Sequence, residues 1–179
     1  MNLLFVHITK AAGWSVINLL SPLSNFYTTN HNPITWEPNY KDYVSFCIVR
    51  DPFKRVFSQW EWYTKKRKQI KECTFEDFVL NYETYAQQPN MKNNLKPCFD
   101  YISVDGEVVV NHILKYETLK HDWDVFSSKY GLPNTLPNDH TNPYKTTYTP
   151  NLYTPEMEYK VRDIFRNDFR LYTNILKIY

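Results

Sequence analysis

Apolar side chains fall along this chain in two patterns. Leu3-Leu4-Phe5-Val6 and Tyr43 to Val49 (YVSFCIV) are unbroken runs, too short for helices and suited to strands buried on both faces. Elsewhere the spacing is helical. Trp14, Val16, Ile17, Leu19 and Leu20 predict a short helix starting near residues 13–15. Phe53, Val56, Phe57 and Trp60 predict another from Phe53, with Pro52 in its first turn. Phe75, Phe78, Val79 and Tyr82 form a stripe behind Thr74, a capping residue. Met157, Val161, Ile164, Phe165 and Phe169 predict one amphipathic helix over 156–171.

Weaker signals fill the gaps. Residues 25–29 and 112–116 read as strands, and Asp105-Gly106 marks a hairpin within 101–110. Residues 117–130 read as a helix that Gly131 stops, with Pro133 beyond it. The polar stretches 29–41, 85–97 and 134–155 read as loops, the last long enough to be functional. Strands alternating with helices predict a three-layer α/β fold with a mainly parallel central sheet. At 179 residues, a single domain over 1–179 is expected.

Composition narrows the class. Fifteen tyrosines, five tryptophans and a 17% aromatic content suit a packed core and clefts that hold rings or sugars. A formal net charge of +2 lacks the basic excess of a nucleic-acid binder, so no nucleic-acid partner is expected. No stretch approaches the ~20 apolar residues that cross a bilayer. The chain opens directly on a strand, leaving no room for a signal peptide, and a soluble cytoplasmic protein without a membrane anchor is expected. Cys47, Cys73 and Cys98 are odd in number and lack zinc-ligand spacing. They read as free thiols in a reducing compartment, with a Cys73–Cys98 bridge as the lesser alternative. No metal site is expected.

The candidate chemistry starts in the first loop. A buried strand, a small-residue segment (Thr9-Lys10-Ala11-Ala12-Gly13) and a helix N-terminus together make an anion site, because free amides and the dipole's positive end favour a phosphate. Lys10 adds a flexible ammonium and Ser15 a hydroxyl that can bind the anion or cap the helix. An ordinary strand-to-helix turn with a solvated lysine is the competing reading. The Walker order of glycines, lysine and serine or threonine is missing. A second candidate is Arg50, just past the carboxyl end of the second buried strand, where open α/β sheets bind ligands. Ser58 lies two turns into the next helix.

These two segments resemble known motifs. FVHITKAAGWS (Phe5–Ser15) is similar to the phosphosulfate-binding loop of the carbohydrate sulfotransferases, usually close to FxHIPKTGGTS. IVRDPFKRVFSQW (Ile48–Trp60) resembles their 3′-phosphate motif, an arginine followed eight positions later by a serine. Lys115–Leu119 and the stretch from Tyr153 to Phe169 resemble later landmarks. Thr9, Ala11, Ala12 and Trp14 depart from the usual loop, and Trp14 can stack on a ligand or point into the core.

The resemblance implies a P-loop-like fold and a sulfotransferase using 3′-phosphoadenosine-5′-phosphosulfate, without a metal. The acceptor would be a hydroxyl, in the first place on a carbohydrate. Lys10 would meet the leaving oxygen. Ala12, Gly13, Trp14 and Ser15 would surround the 5′-phosphate, and Arg50 with Ser58 would take the 3′-phosphate. Lys145 and Thr146 would clamp the nucleotide. His31 is the first choice of base, with Glu37 and Asp42 as rivals. His7, beside the loop, is expected to pack or shape it. The run Lys65–Lys68 with Lys71 would attract an anionic acceptor or be a solvated helix end. A P-loop phosphotransferase, or a relative that binds nucleotide or glycan without chemistry, are the alternatives.

Overall fold

The computed structural model describes residues 1–137 and 147–175. In chain order the elements begin β1 (Leu3–Val6), α1 (Gly13–Leu20), β2 (Phe26–Thr28), β3 (Val44–Val49) and α2 (Pro52–Glu61). There follow α3 (Phe75–Leu80), α4 (Tyr82–Ala86), α5 (Cys98–Ile102), β4 (Ser103–Val104) and β5 (Glu107–Val108). The chain ends with β6 (His112–Lys115), α6 (Leu119–Tyr130), α7 (Pro155–Ile164) and α8 (Arg166–Ile175). It divides into two compact units, Met1–Arg50 with Cys98–His140, and Asp51–Pro97 with Thr141–Tyr179.

The first unit holds a four-stranded sheet in the order β2-β1-β3-β6, with every neighbouring pair parallel. All four residues of β1 are buried, so the central strand is covered on both faces and the fold is three-layer α/β. On one face Phe46 of β3 packs against Phe126 of α6, ring centroids 4.6 Å apart. The order runs outward from β1 in both directions, which puts a topological switch between β1 and β3. Ligands of such sheets bind outside the carboxyl ends of the strands at that point. The two-residue strands β4 and β5 pair across Asp105-Gly106, both in left-handed backbone, as the dipeptide predicts. Gly131 takes the left-handed conformation that ends α6.

The second unit is helical. Val56, Phe78, Val79, Tyr82, Met157, Val161 and Phe165 form its core. Arg55 and Asp168 are both buried within it, their charged atoms 3.9 Å apart, and Arg55 also donates to the Lys96 carbonyl at 2.8 Å. Thr74 and Thr154 cap α3 and α7, each hydroxyl accepting from the backbone N–H three residues on.

Two expectations need correction. The single helix over 156–171 is two, because Phe165 leaves helical backbone at φ −102°, ψ 26°. Positions four apart gain ~40° per step around a helix. The stripe Met157, Val161, Phe165 therefore drifts, and the break lets Asp168 also face inward, toward Arg55. The loop expected over 85–97 begins later, since α4 includes Tyr85 and Ala86. The Tyr85 hydroxyl donates to the Asp77 carboxylate at 2.6 Å, tying α4 to α3. All three cysteines are free thiols. No helix among the described residues is long and apolar enough to cross a membrane.

Candidate functional site

Each of the four parallel strands delivers one side chain of interest just beyond its carboxyl end. After β1 the chain turns through Lys10 and Ala12, both left-handed (φ 62° and 57°), into α1. Ala12 occupies the cap position, no side chain among the described residues caps the helix, and its first turn holds no carboxylate. The amide end of α1 thus keeps its affinity for an anion. Ala11 is buried, so its methyl faces the interior. Ser15 lies in the first turn, and its N–H donates to the Ala12 carbonyl at 3.1 Å. Trp14 is 50% exposed, which rules out the core position left open for it.

After β3, Arg50 reaches back to this loop, its Nη1 donating to the Lys10 carbonyl at 3.2 Å. The guanidinium also lies over the Tyr116 ring, 4.3 Å from the centroid. Tyr116 follows β6, and its N–H is fixed to the Val49 carbonyl at 2.8 Å. The ring lies against the face of the guanidinium, and the donors lie along its edges, where Nη1 meets the Lys10 carbonyl. The structure therefore brings the Lys10 loop and Arg50 together at the switch point. Tyr116 falls within the Lys115–Leu119 landmark but is given no role there; it stands one position past β6, as Arg50 does past β3.

After β2, Asn30 and His31 are consecutive left-handed residues (φ 49° and 70°). His31 lies half-buried beside the loop, its ring centroid 3.9 Å from that of His7. Its Nδ1 is 3.1 Å from the His7 carbonyl oxygen. A carbonyl only accepts, so Nδ1 carries the proton and the neutral ring keeps its lone pair on Nε2. His7 is buried, as a packing role requires. Burial, and secondarily His31, pull its pKa down to about 3, so it is neutral at pH 7.

The rival bases lie further along the same loop. Glu37 accepts from the Asn39 N–H at 3.2 Å, and Asp42 is exposed in a short 3-10 turn. Ser58 stands half-buried on α2 of the second unit, where Asp51 caps the helix by accepting from the Lys54 N–H at 2.9 Å. His112 hydrogen-bonds the Tyr130 hydroxyl and has a packing role. Lys145 and Thr146 lie outside the described residues.

A lysine-bearing loop at a helix N-terminus, with a guanidinium held against it, has the chemistry that suits two anionic groups. The sulfotransferase family model matches residues 1–173. No curated protein and no solved structure matches. The matched span takes in the Lys10 loop, Arg50 and all four strands of the sheet, and the chain belongs to the sulfotransferase family.

Proposed function

We propose that the chain, acting as one domain over residues 1–179, transfers a sulfuryl group from 3′-phosphoadenosine-5′-phosphosulfate to an acceptor hydroxyl, in the first place on a carbohydrate. Its setting in this reading is the cytoplasm. The observation that carries the proposal is the Arg50 to Lys10 carbonyl hydrogen bond at 3.2 Å. It holds two cationic subsites side by side, which fits a nucleotide phosphorylated at both ends. The 3′-phosphate is what separates this donor from ATP.

The residues present fit such a ligand, because the helix end is uncapped and no carboxylate occupies its first turn. Bound there, the donor supplies a sulfuryl group on a phosphate leaving group. Lys10 neutralises charge developing on the bridging oxygen. The amides near Gly13, in the turn that runs from Ala12 through Trp14, hold the 5′-phosphate together with the Ser15 hydroxyl. Arg50 grips the 3′-phosphate through its fork. Ser58, Lys145 and Thr146 join on motif position alone. His31 takes the proton of the acceptor hydroxyl at Nε2.

An in-line displacement asks the protein mainly for positioning and charge stabilisation. A group acting in the transition state, as Lys10 does here, contributes about 2.7–4 kcal/mol to lowering the barrier. Transfer of labelled sulfate from the donor to a panel of oligosaccharides tests the reading, with activity expected in the native chain and lost in Lys10→Ala. Binding of nucleotide or glycan without transfer would instead leave a non-catalytic relative. Magnesium-dependent ATP hydrolysis indifferent to the sulfate donor would return a phosphotransferase.

A further inference from the structure

The corner that carries His31 is strained and heavily tied down. Two successive non-glycine residues in the left-handed region cost on the order of 1–3 kcal/mol each and persist only where the surroundings over-determine them. Local bonds hold the corner, from the Asn30 N–H to the Thr28 hydroxyl at 3.3 Å and from the Asn32 amide side chain to the Thr29 carbonyl at 3.1 Å, and three more tie it to the end of β1. Thr29 N–H donates to the Phe5 carbonyl at 3.1 Å, and His7 N–H donates to the Thr29 hydroxyl at 3.3 Å. His31 Nδ1–H donates to the His7 carbonyl at 3.1 Å. They continue the β1–β2 pairing past Thr28 and then fold the chain back over His7.

The His7 side chain is wedged beneath. A Cβ added to Gly13 would stand 1.8 Å from His7 Nε2, so the ring lies directly on the start of α1. Its other neighbours are the Phe5 ring, stacked at 5.5 Å between centroids, and the edge of Trp14 at 6.4 Å. His7 Nδ1 is buried with no hydrogen-bond partner among the described residues, an unusual state for a polar atom.

We propose that His7 is a positioning residue for the base. Its ring packs against the His31 imidazole at a 41° tilt, and its carbonyl holds the proton of His31 on Nδ1. The nitrogen that receives the acceptor's proton is thereby Nε2: the O–H bond breaks, the Nε2–H bond forms, and the imidazolium keeps its Nδ1–H on the same carbonyl. Because His7 also rests on Gly13, the base and the amide end of α1 are held by one side chain. This inference rests on the reading of His31 as the base.

The test uses ¹⁵N-labelled chain without nucleotide, near neutral pH, with long-range proton–nitrogen correlation reporting which ring nitrogen of His31 is protonated. The native chain is expected to show His31 protonated at Nδ1 only, and His7→Ala to show both tautomers exchanging. Thr29→Val, which removes the acceptor of the His7 N–H and leaves the ring in place, is expected to move the spectrum the same way by less, and it serves if His7→Ala does not fold. A native His31 protonated at Nε2, or variants indistinguishable from it, would overturn the proposal. Turnover of His31→Ala separates the two readings: unchanged turnover beside a His7-dependent tautomer overturns the base assignment, not the positioning.

Discussion

At the scale of single residues, the site is set by contacts that allow little substitution. Gly13 is required by the His7 ring beside it rather than by a special backbone angle. Gly13→Ala must displace that ring, and a destabilisation of about 1–3 kcal/mol is expected in urea unfolding, together with loss of turnover. His7 also makes a signed prediction about pH. Its folded pKa, about 3, lies below the unfolded 6.5, so the unfolded chain binds the proton first. The stability it lends is complete above pH 6.5 and falls as the pH drops toward 3. The slope approaches ~1.4 kcal/mol per pH unit inside that window. Unfolding free energies at pH 7 and pH 5 should differ less in His7→Phe than in the native chain; an equal difference would contradict the assignment. For His31→Ala the expectation is nucleotide affinity retained and turnover lost, read by calorimetry and a sulfate-transfer assay.

Among elements, the helix ends give the cleanest expectation. Thr154 caps α7 through the Met157 N–H at 3.3 Å, and Thr154→Ala should cost about 1 kcal/mol in thermal unfolding without touching nucleotide binding. This is also the scale at which the sequence was most readable. Leu3–Val6 and Val44–Val49 stood out as apolar runs because central parallel strands are buried on both faces. Gly131 and Asp105-Gly106 stood out because their backbone angles favour those residue types. The break at Phe165 was hidden, since the periodic stripe continues through it, and the buried Arg55–Asp168 pair beyond it joins residues far apart in sequence. The Lys10 loop and Arg50 could be picked out by local motif. The ring beneath Arg50 comes from Tyr116, and the bracket around His31 comes from His7 and Thr29. Those contacts join residues more than twenty positions apart, which local pattern does not report.

For the molecule as a whole, the α/β unit supplies the four strand ends and the helical unit supplies a buried ion pair. Arg55 and Asp168 are each almost fully enclosed. Asp168→Ala takes a counter-charge from the buried guanidinium and should lower stability by about 3–5 kcal/mol, whereas replacing both with apolar residues of similar volume should recover most of that. The central claim concerns the other unit, where one loop and one arginine are proposed to take the two ends of a single nucleotide. It is tested most directly by calorimetric titration of the native chain and Arg50→Ala with adenosine 3′,5′-bisphosphate and with its 3′-dephospho analogue. The account predicts that Arg50→Ala weakens the bisphosphate far more than the analogue. Equal weakening of both, or none, would contradict it.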